Sequence, residues 1–421
     1  MNKNTLVINY RHMGYKHIGV GGVENYIIGL IKLAHNNGNR IIWIHDVKTF
    51  IPPIYEDILN SDYVEKCACD IHKCHWFRHD KLRFNSDENV VIISFSAFDH
   101  VRALQLKHEY IDVKLTALYF IPHFTGSLIF PEQQFGFGKR IVQKKFSHLY
   151  AEWINSGTVL FFNSRHISAI EESYGIHVDE NHRKLVPEIF NEFHFDENEV
   201  RSRYRRDEFR IISAGRLEFP HKGFVIGMLK EFVALKEKYP QITYYIVGDG
   251  PEIQMVRDEL NKLPEKVSKD IHLLPPMPFE ELISFYKDCN LNISAAGCAT
   301  YGAKSGLLTL PVRHYVYDCE VYGYLPECKD YTTSTLPGNP VIPYIEEVIH
   351  MPESEYVKRS QDSFESYNQG FVNSNAIFEI AENAQDYIMR QRDLSFVKIC
   401  DLFTKIQFAI QMIKSRLKKR N

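Results

Sequence analysis

The sequence predicts an α/β fold of two domains, each built on a parallel sheet. Short β-rich apolar runs alternate with helical patterns, and several of those runs end in a glycine turn followed directly by a helix start. The chain has 421 residues, of which 44% are apolar, enough to fill two cores.

Thr5 to Asn9 reads as the first strand. The loop after it ends in Gly21-Gly22, and Val23, Ile27, Leu30, Ile31 and Ala34 then recur at helical spacing until Gly38 supplies a stop. Further strands are expected at Arg40 to Ile44, Val90 to Phe95, Lys114 to Ile121 and Val159 to Asn163, with Ser164 capping the next helix. The Lys114 strand runs into Pro122-His123-Phe124. A His there faces the crevice at the carboxyl end of a parallel sheet, where open α/β folds bind ligands, which makes His123 a candidate site residue. Asp196 to Asp207 reads as a solvated helix rich in arginine, some of it at the rim of an anionic cleft.

The segment from Ile211 to Glu327 carries the chemistry. Ile211-Ile212 leads to Gly215, Arg216 and Lys222. Two cations in a short loop after a strand suit a diphosphate, since Arg offers a planar fork of donors and Lys a movable point charge. Ile242 to Val247 then stops at Gly248-Asp249-Gly250-Pro251, the tight turn of another strand-turn-helix unit. A third strand passes through a small-residue loop to a helix start, whose free N–H groups suit an anion.

The charge balance, 50 basic against 53 acidic residues, gives no sign of nucleic-acid binding. The 24 Tyr and 28 Phe are read first as core. The N-terminal residues lack signal-peptide regions and no run reaches the ~18 apolar residues of a membrane span, so the expected location is cytoplasmic. Eight cysteines make no disulfide framework at this length. Cys67, Cys69 and Cys74 crowd near His72, His75 and His79, yet their spacing matches no zinc pattern and reads as a polar loop. From Ser395 the tail reads as an amphipathic helix with Phe396, Ile399, Leu402, Phe403, Ile406, Ile410 and Ile413 on its apolar side. It ends in Lys414, Arg416, Lys418, Lys419 and Arg420, a cluster that reads equally as a frayed, solvated terminus or as a contact for anionic lipid at the inner membrane face.

Gly215-Arg216-Leu217, Lys222-Gly223, Gly248 to Pro251, Phe279 to Ser294, Pro311-Val312 and Tyr322 to Glu327 follow one another in the order of a known series. The segment resembles the C-terminal domain of the group 4 family of GT-B glycosyltransferases, which is mostly retaining. The Gly21-Gly22 segment is similar to the family's N-terminal GG.E motif, and Lys184 to Phe195 to its domain crossing. The resemblance implies two Rossmann-like domains facing across a cleft: 1–186 on the acceptor side, 187–390 binding a nucleotide sugar, and 391–421 returning to bury its apolar stripe on the first domain. It implies sugar transfer from a nucleotide-diphosphate donor to a glycan, lipid-linked or protein acceptor, with no metal or other cofactor. Arg216, Lys222 and His123 would serve the reaction. Gly21, Gly22, Gly248, Asp249, Gly250 and Glu327 would hold the donor.

The family's Glu-x7-Glu segment is altered. Counting back from Pro311 puts the two glutamates at Ala296 and Lys304, and anchoring on Tyr301-Gly302 puts them at Ala299 and Leu307. Neither register yields a carboxylate. Ala296 and Lys304 are carried as donor-side positions, with Lys304 or backbone amides in the place of the glutamates. The loss also raises an alternative: a non-catalytic subunit supporting a partner glycosyltransferase.

Overall fold

The computed structural model describes residues 4–10, 21–46, 49–69, 82–122, 126, 129–135, 138–187, 189, 193–328, 337–367, 375–400, 402–403 and 406. Strands β1 (Asn4–Asn9), β2 (Arg40–Asp46), β3 (Val64–Cys69), β4 (Asn89–Ser94), β5 (Lys114–Ile121) and β6 (Val159–Phe161) form one sheet in the order β3-β2-β1-β4-β5-β6. Strands β7 (Phe209–Ala214), β8 (Ile242–Val247), β9 (Ile271–Leu274), β10 (Leu291–Ser294) and β11 (Thr309–Pro311) form a second, ordered β11-β10-β7-β8-β9. Every neighbouring pair in both is parallel.

Parallel strands covered on both faces must be apolar throughout, and all six residues of β4 are buried. Separate clusters fill the two sides of the first sheet, one around Trp153 and Phe146, the other around Trp43 and Phe120. In each sheet the strand order reverses beside the first strand, between β1 and β4 and between β7 and β10. Such switch points leave a crevice at the carboxyl ends of the strands. They place the helix start at Gly22, the Gly215 loop and the helix start after β10 at crevice mouths.

The domains touch through Lys32 and Glu280, 2.7 Å apart, while Phe193, Phe279 and Tyr301 pack against the first-domain core. Ala376–Asn383 already returns to the first sheet, burying Ile377, Phe378 and Ala381. The last helix follows, held by Lys145 to Asp393 at 2.5 Å and Arg390 to Glu152 at 2.9 Å.

The structure corrects four local expectations. Val64–Cys69 is an edge strand where the Cys/His segment was read as loop. It buries Val64 and Cys67 and leaves Glu65, Lys66 and Ala68 exposed, and the run 70–81 that follows, with His72, Cys74, His75 and His79, lies outside the described residues. Asn163, not Ser164, caps Ser164–Tyr174, its Oδ1 accepting from the N–H of His166 at 3.2 Å. Glu197–Tyr204 is the solvated helix expected, with only Val200 and Arg203 buried, but its arginines and those after it are tied within the second domain and not to a cleft rim: Arg201 and Arg205 bind Glu353, Arg206 binds Asp288, and Arg203 donates to the Gly306 carbonyl. Finally, the last helix buries Leu394, Val397 and Cys400 and leaves Ile399, Leu402, Phe403 and Ile406 exposed, opposite to the expected facing.

Candidate functional site

The second-domain wall is two loops stacked backbone on backbone. The N–H of Gly215 donates to Val247 O and that of Leu217 to Asp249 O, both at 2.9 Å, and the Glu252 N–H returns to Leu217 O at 3.2 Å. A Cβ at Gly248 would collide with the carbonyl oxygen of Gly215, and one at Gly250 with that of Leu217. Gly215 has φ +142°, and the Lys222 ammonium lies where its Cβ would stand. The glycines thus let the turn after β8 seat against the loop after β7. Asp249 supports the turn, its carboxylate accepting from the Gly250 N–H at 2.7 Å. Arg216 is a quarter exposed and pairs with Glu218 at 2.9 Å. The loop therefore carries Arg216 just past the carboxyl end of β7 and folds the Lys222 ammonium back against Gly215.

Next to it, Ala296 enters the helix Gly297–Lys304 at φ +51° and ψ −133°, a conformation that costs a non-glycine residue of order 1–3 kcal/mol. The helix follows β10 at the switch point of its sheet, and helix starts at such points suit an anion. Neither register supplies a carboxylate, and Ala299 and Leu307 are fully buried. Lys304 is buried too, its ammonium 5.7 Å from the Phe193 ring centre. Glu327 is exposed and pairs with Arg359 at 3.4 Å, and no described contact brings it to Arg216 or Lys222.

The first-domain wall holds the helix Gly22–Asn36, which Gly21 precedes with extended backbone and no side-chain cap. Glu24 is buried, and its carboxylate accepts from Tyr10 Oη at 2.8 Å. Burial holds Glu24 above the ordinary carboxylate range, while the Tyr10 hydrogen bond and the charge of Arg216 pull it back. His123 lies outside the described residues.

Sequence reasoning missed Glu24 and a pair of histidines. Gly223 and Gly227 have no room for a Cβ because the backbone of Val316 to Cys319 lies against them. With that loop in place, His314 stacks on His221 at 5.0 Å between ring centres, and Tyr315 N–H donates to His221 O at 3.2 Å. Burial, then the neighbouring His221, Lys222 and Arg165, push His314 down to about 4. His221 is lowered likewise, first by burial and then by Lys222. The Glu of the GG.E motif was a readable signal for Glu24. Nothing local predicted that the loop after Pro311-Val312 would fold onto Gly223 and Gly227.

No family model and no curated protein matches the chain. Solved structures do. A Staphylococcus aureus TarM mutant in complex with fondaparinux, alpha-GlcNAc-glycerol and UDP aligns with TM-score 0.54 and 7% identity over 90% of this chain and 99% of that one. WaaG, a glycosyltransferase involved in lipopolysaccharide biosynthesis, aligns with TM-score 0.53 and 12% identity over 91% and 100%. A UDP-forming trehalose-phosphate synthase from Burkholderia xenovorans aligns with TM-score 0.51 and 10% identity over 91% and 99%. The likeness spans both domains and shows the fold: the chain has the GT-B architecture of two Rossmann-like domains with a helix returning to the first.

Proposed function

We propose that the protein is a glycosyltransferase that takes a sugar from a nucleotide-diphosphate donor held in the interdomain cleft. The observation that carries this reading is the interlocked pair of loops that sets Arg216 and Lys222 at the end of β7, with Gly22 and Glu24 on the other wall. Fixed cations in a partly dry cleft stabilise charge growing on a leaving diphosphate, and they do so without reorganising as the bond breaks. That task needs no divalent ion. The leaving diphosphate can itself help take the acceptor proton, so the missing Glu pair does not remove a required base. The acceptor is a glycan, a lipid-linked chain or a protein, in the assembly of a surface polysaccharide or glycoprotein on the inner side of the membrane.

A second reading has its own support. With Ala299 and Leu307 buried and Lys304 packed over Phe193, neither register offers a hydrogen-bond acceptor to donor sugar or ribose. A binding subunit for a partner transferase would tolerate that loss. A thermal-shift screen of nucleotide sugars, followed by hydrolysis and transfer assays on any hit, separates the readings. The enzyme predicts turnover by the purified chain that falls with Arg216→Ala. Activity that arises only in a complex, and survives Arg216→Ala, would move the chemistry to the partner.

A further inference from the structure

The last helix has two apolar faces, and the first domain takes only one. Leu394, Val397 and Cys400 recur every third residue and are 1%, 0% and 4% exposed within the first-domain core. Two residues further along, about 200° around a helix of 3.6 residues per turn, stand Ile399, Leu402, Phe403 and Ile406. These are 59%, 43%, 55% and 47% exposed, and no described residue covers them. A single exposed Leu or Ile is ordinary, but four at i, i+3, i+4 and i+7 form one continuous patch. In sequence the same spacing continues through Ile410 and Ile413. After Asp401 the chain carries Lys405, Lys414, Arg416, Lys418, Lys419 and Arg420, and no Asp or Glu.

We propose that this face docks on a negatively charged membrane surface, its apolar side chains entering the boundary between headgroups and acyl chains and its cations meeting anionic lipid. Apolar area alone would also suit a second copy of the chain. Charge decides between them: pairing two such segments brings like charges together, whereas anionic headgroups neutralise them. An apolar face combined with a basic cluster supplies the two signals that stable interfacial binding needs. The proposal concerns a surface of the first domain and stands apart from the donor assignment.

The test is co-sedimentation of the full chain with vesicles of phosphatidylcholine alone or with about a third phosphatidylglycerol. Binding is expected to the anionic vesicles only, with release in 0.5 M salt, on the order of the concentrations that screen surface charge. Phe403→Glu with Ile406→Glu should abolish it while leaving the melting temperature unchanged, because both side chains face outward. Replacing Lys418, Lys419 and Arg420 with Gln should weaken it about a hundredfold, roughly fivefold for each cation. No binding to anionic vesicles overturns the proposal, as does binding that survives both variants. A dimer in sedimentation equilibrium that Phe403→Glu dissociates would assign the face to self-association instead.

Discussion

At Gly248 and Gly250 a backbone oxygen stands where a Cβ would be, whereas at Gly22, on the facing wall, no atom of the described residues lies within 4 Å of that position. Gly22 is also the first residue of a regular helix, so neither its backbone conformation nor its packing against the described residues calls for glycine. The second-domain glycines are explained by the fold, whereas the described residues give no such reason for Gly22. The two walls therefore differ in what a glycine reports. Where packing accounts for the residue, its presence says nothing of function. Where the described residues do not account for it, close approach of a bound group to the helix start is a reason that experiment can test.

This contrast can be broken at several points. The largest effect is expected from Gly250→Ala, which drives a methyl into the Leu217 carbonyl and should cost about 3 kcal/mol or more of stability, read by chemical denaturation. A variant as stable as the parent would mean that the loops do not interlock. Arg216→Ala and Lys222→Ala should each weaken nucleoside-diphosphate binding by about 1.5–3 kcal/mol in calorimetry, with little change in melting temperature. Unchanged affinity in both would leave the wall as scaffold only.

The histidines sharpen the comparison. His100 is fully buried in the first-domain core, stacked on Tyr119, and burial pushes it down to about 3, whereas His314 faces Lys222 and Arg165 in the cleft. A buried neutral His resists a proton that the unfolded chain accepts near pH 6.5. Its contribution is therefore complete above that pH and is lost as pH falls toward 3, at about 1.4 kcal/mol per pH unit. His100→Phe should flatten the pH dependence of stability between roughly pH 6.5 and 4, and an unaltered slope would refute the assignment. Gly22→Ala should show the smallest effect on stability, within about 1 kcal/mol and favourable in sign, since Ala suits a helix better. It should nonetheless reduce nucleotide affinity, and affinity equal to the parent's would remove the ligand reading of Gly22.

The fold was readable because its signals are local. Apolar runs that stop at glycine turns mark strands whose two faces are both buried, and β5 was read to the residue as Lys114–Ile121. The Gly215, Lys222 and Gly248 to Pro251 loops were legible for the same reason, since each follows directly on its strand. What escaped depends on contacts between distant segments. Glu24 gains meaning from Tyr10 and from Arg216 on the other domain, and His314 from a loop seated on Gly223 and Gly227. The facing of the last helix was misread because both of its faces are apolar, so periodicity alone could not choose the buried one.

The central claim is that both walls hold one diphosphate. A crystal structure of the chain with a nucleoside diphosphate selected by thermal shift tests it most directly. The account predicts phosphate oxygens within hydrogen-bond distance of Arg216 and Lys222, with the Gly22 helix start facing the same group. A diphosphate bound outside the cleft, or touching neither cation, would contradict it.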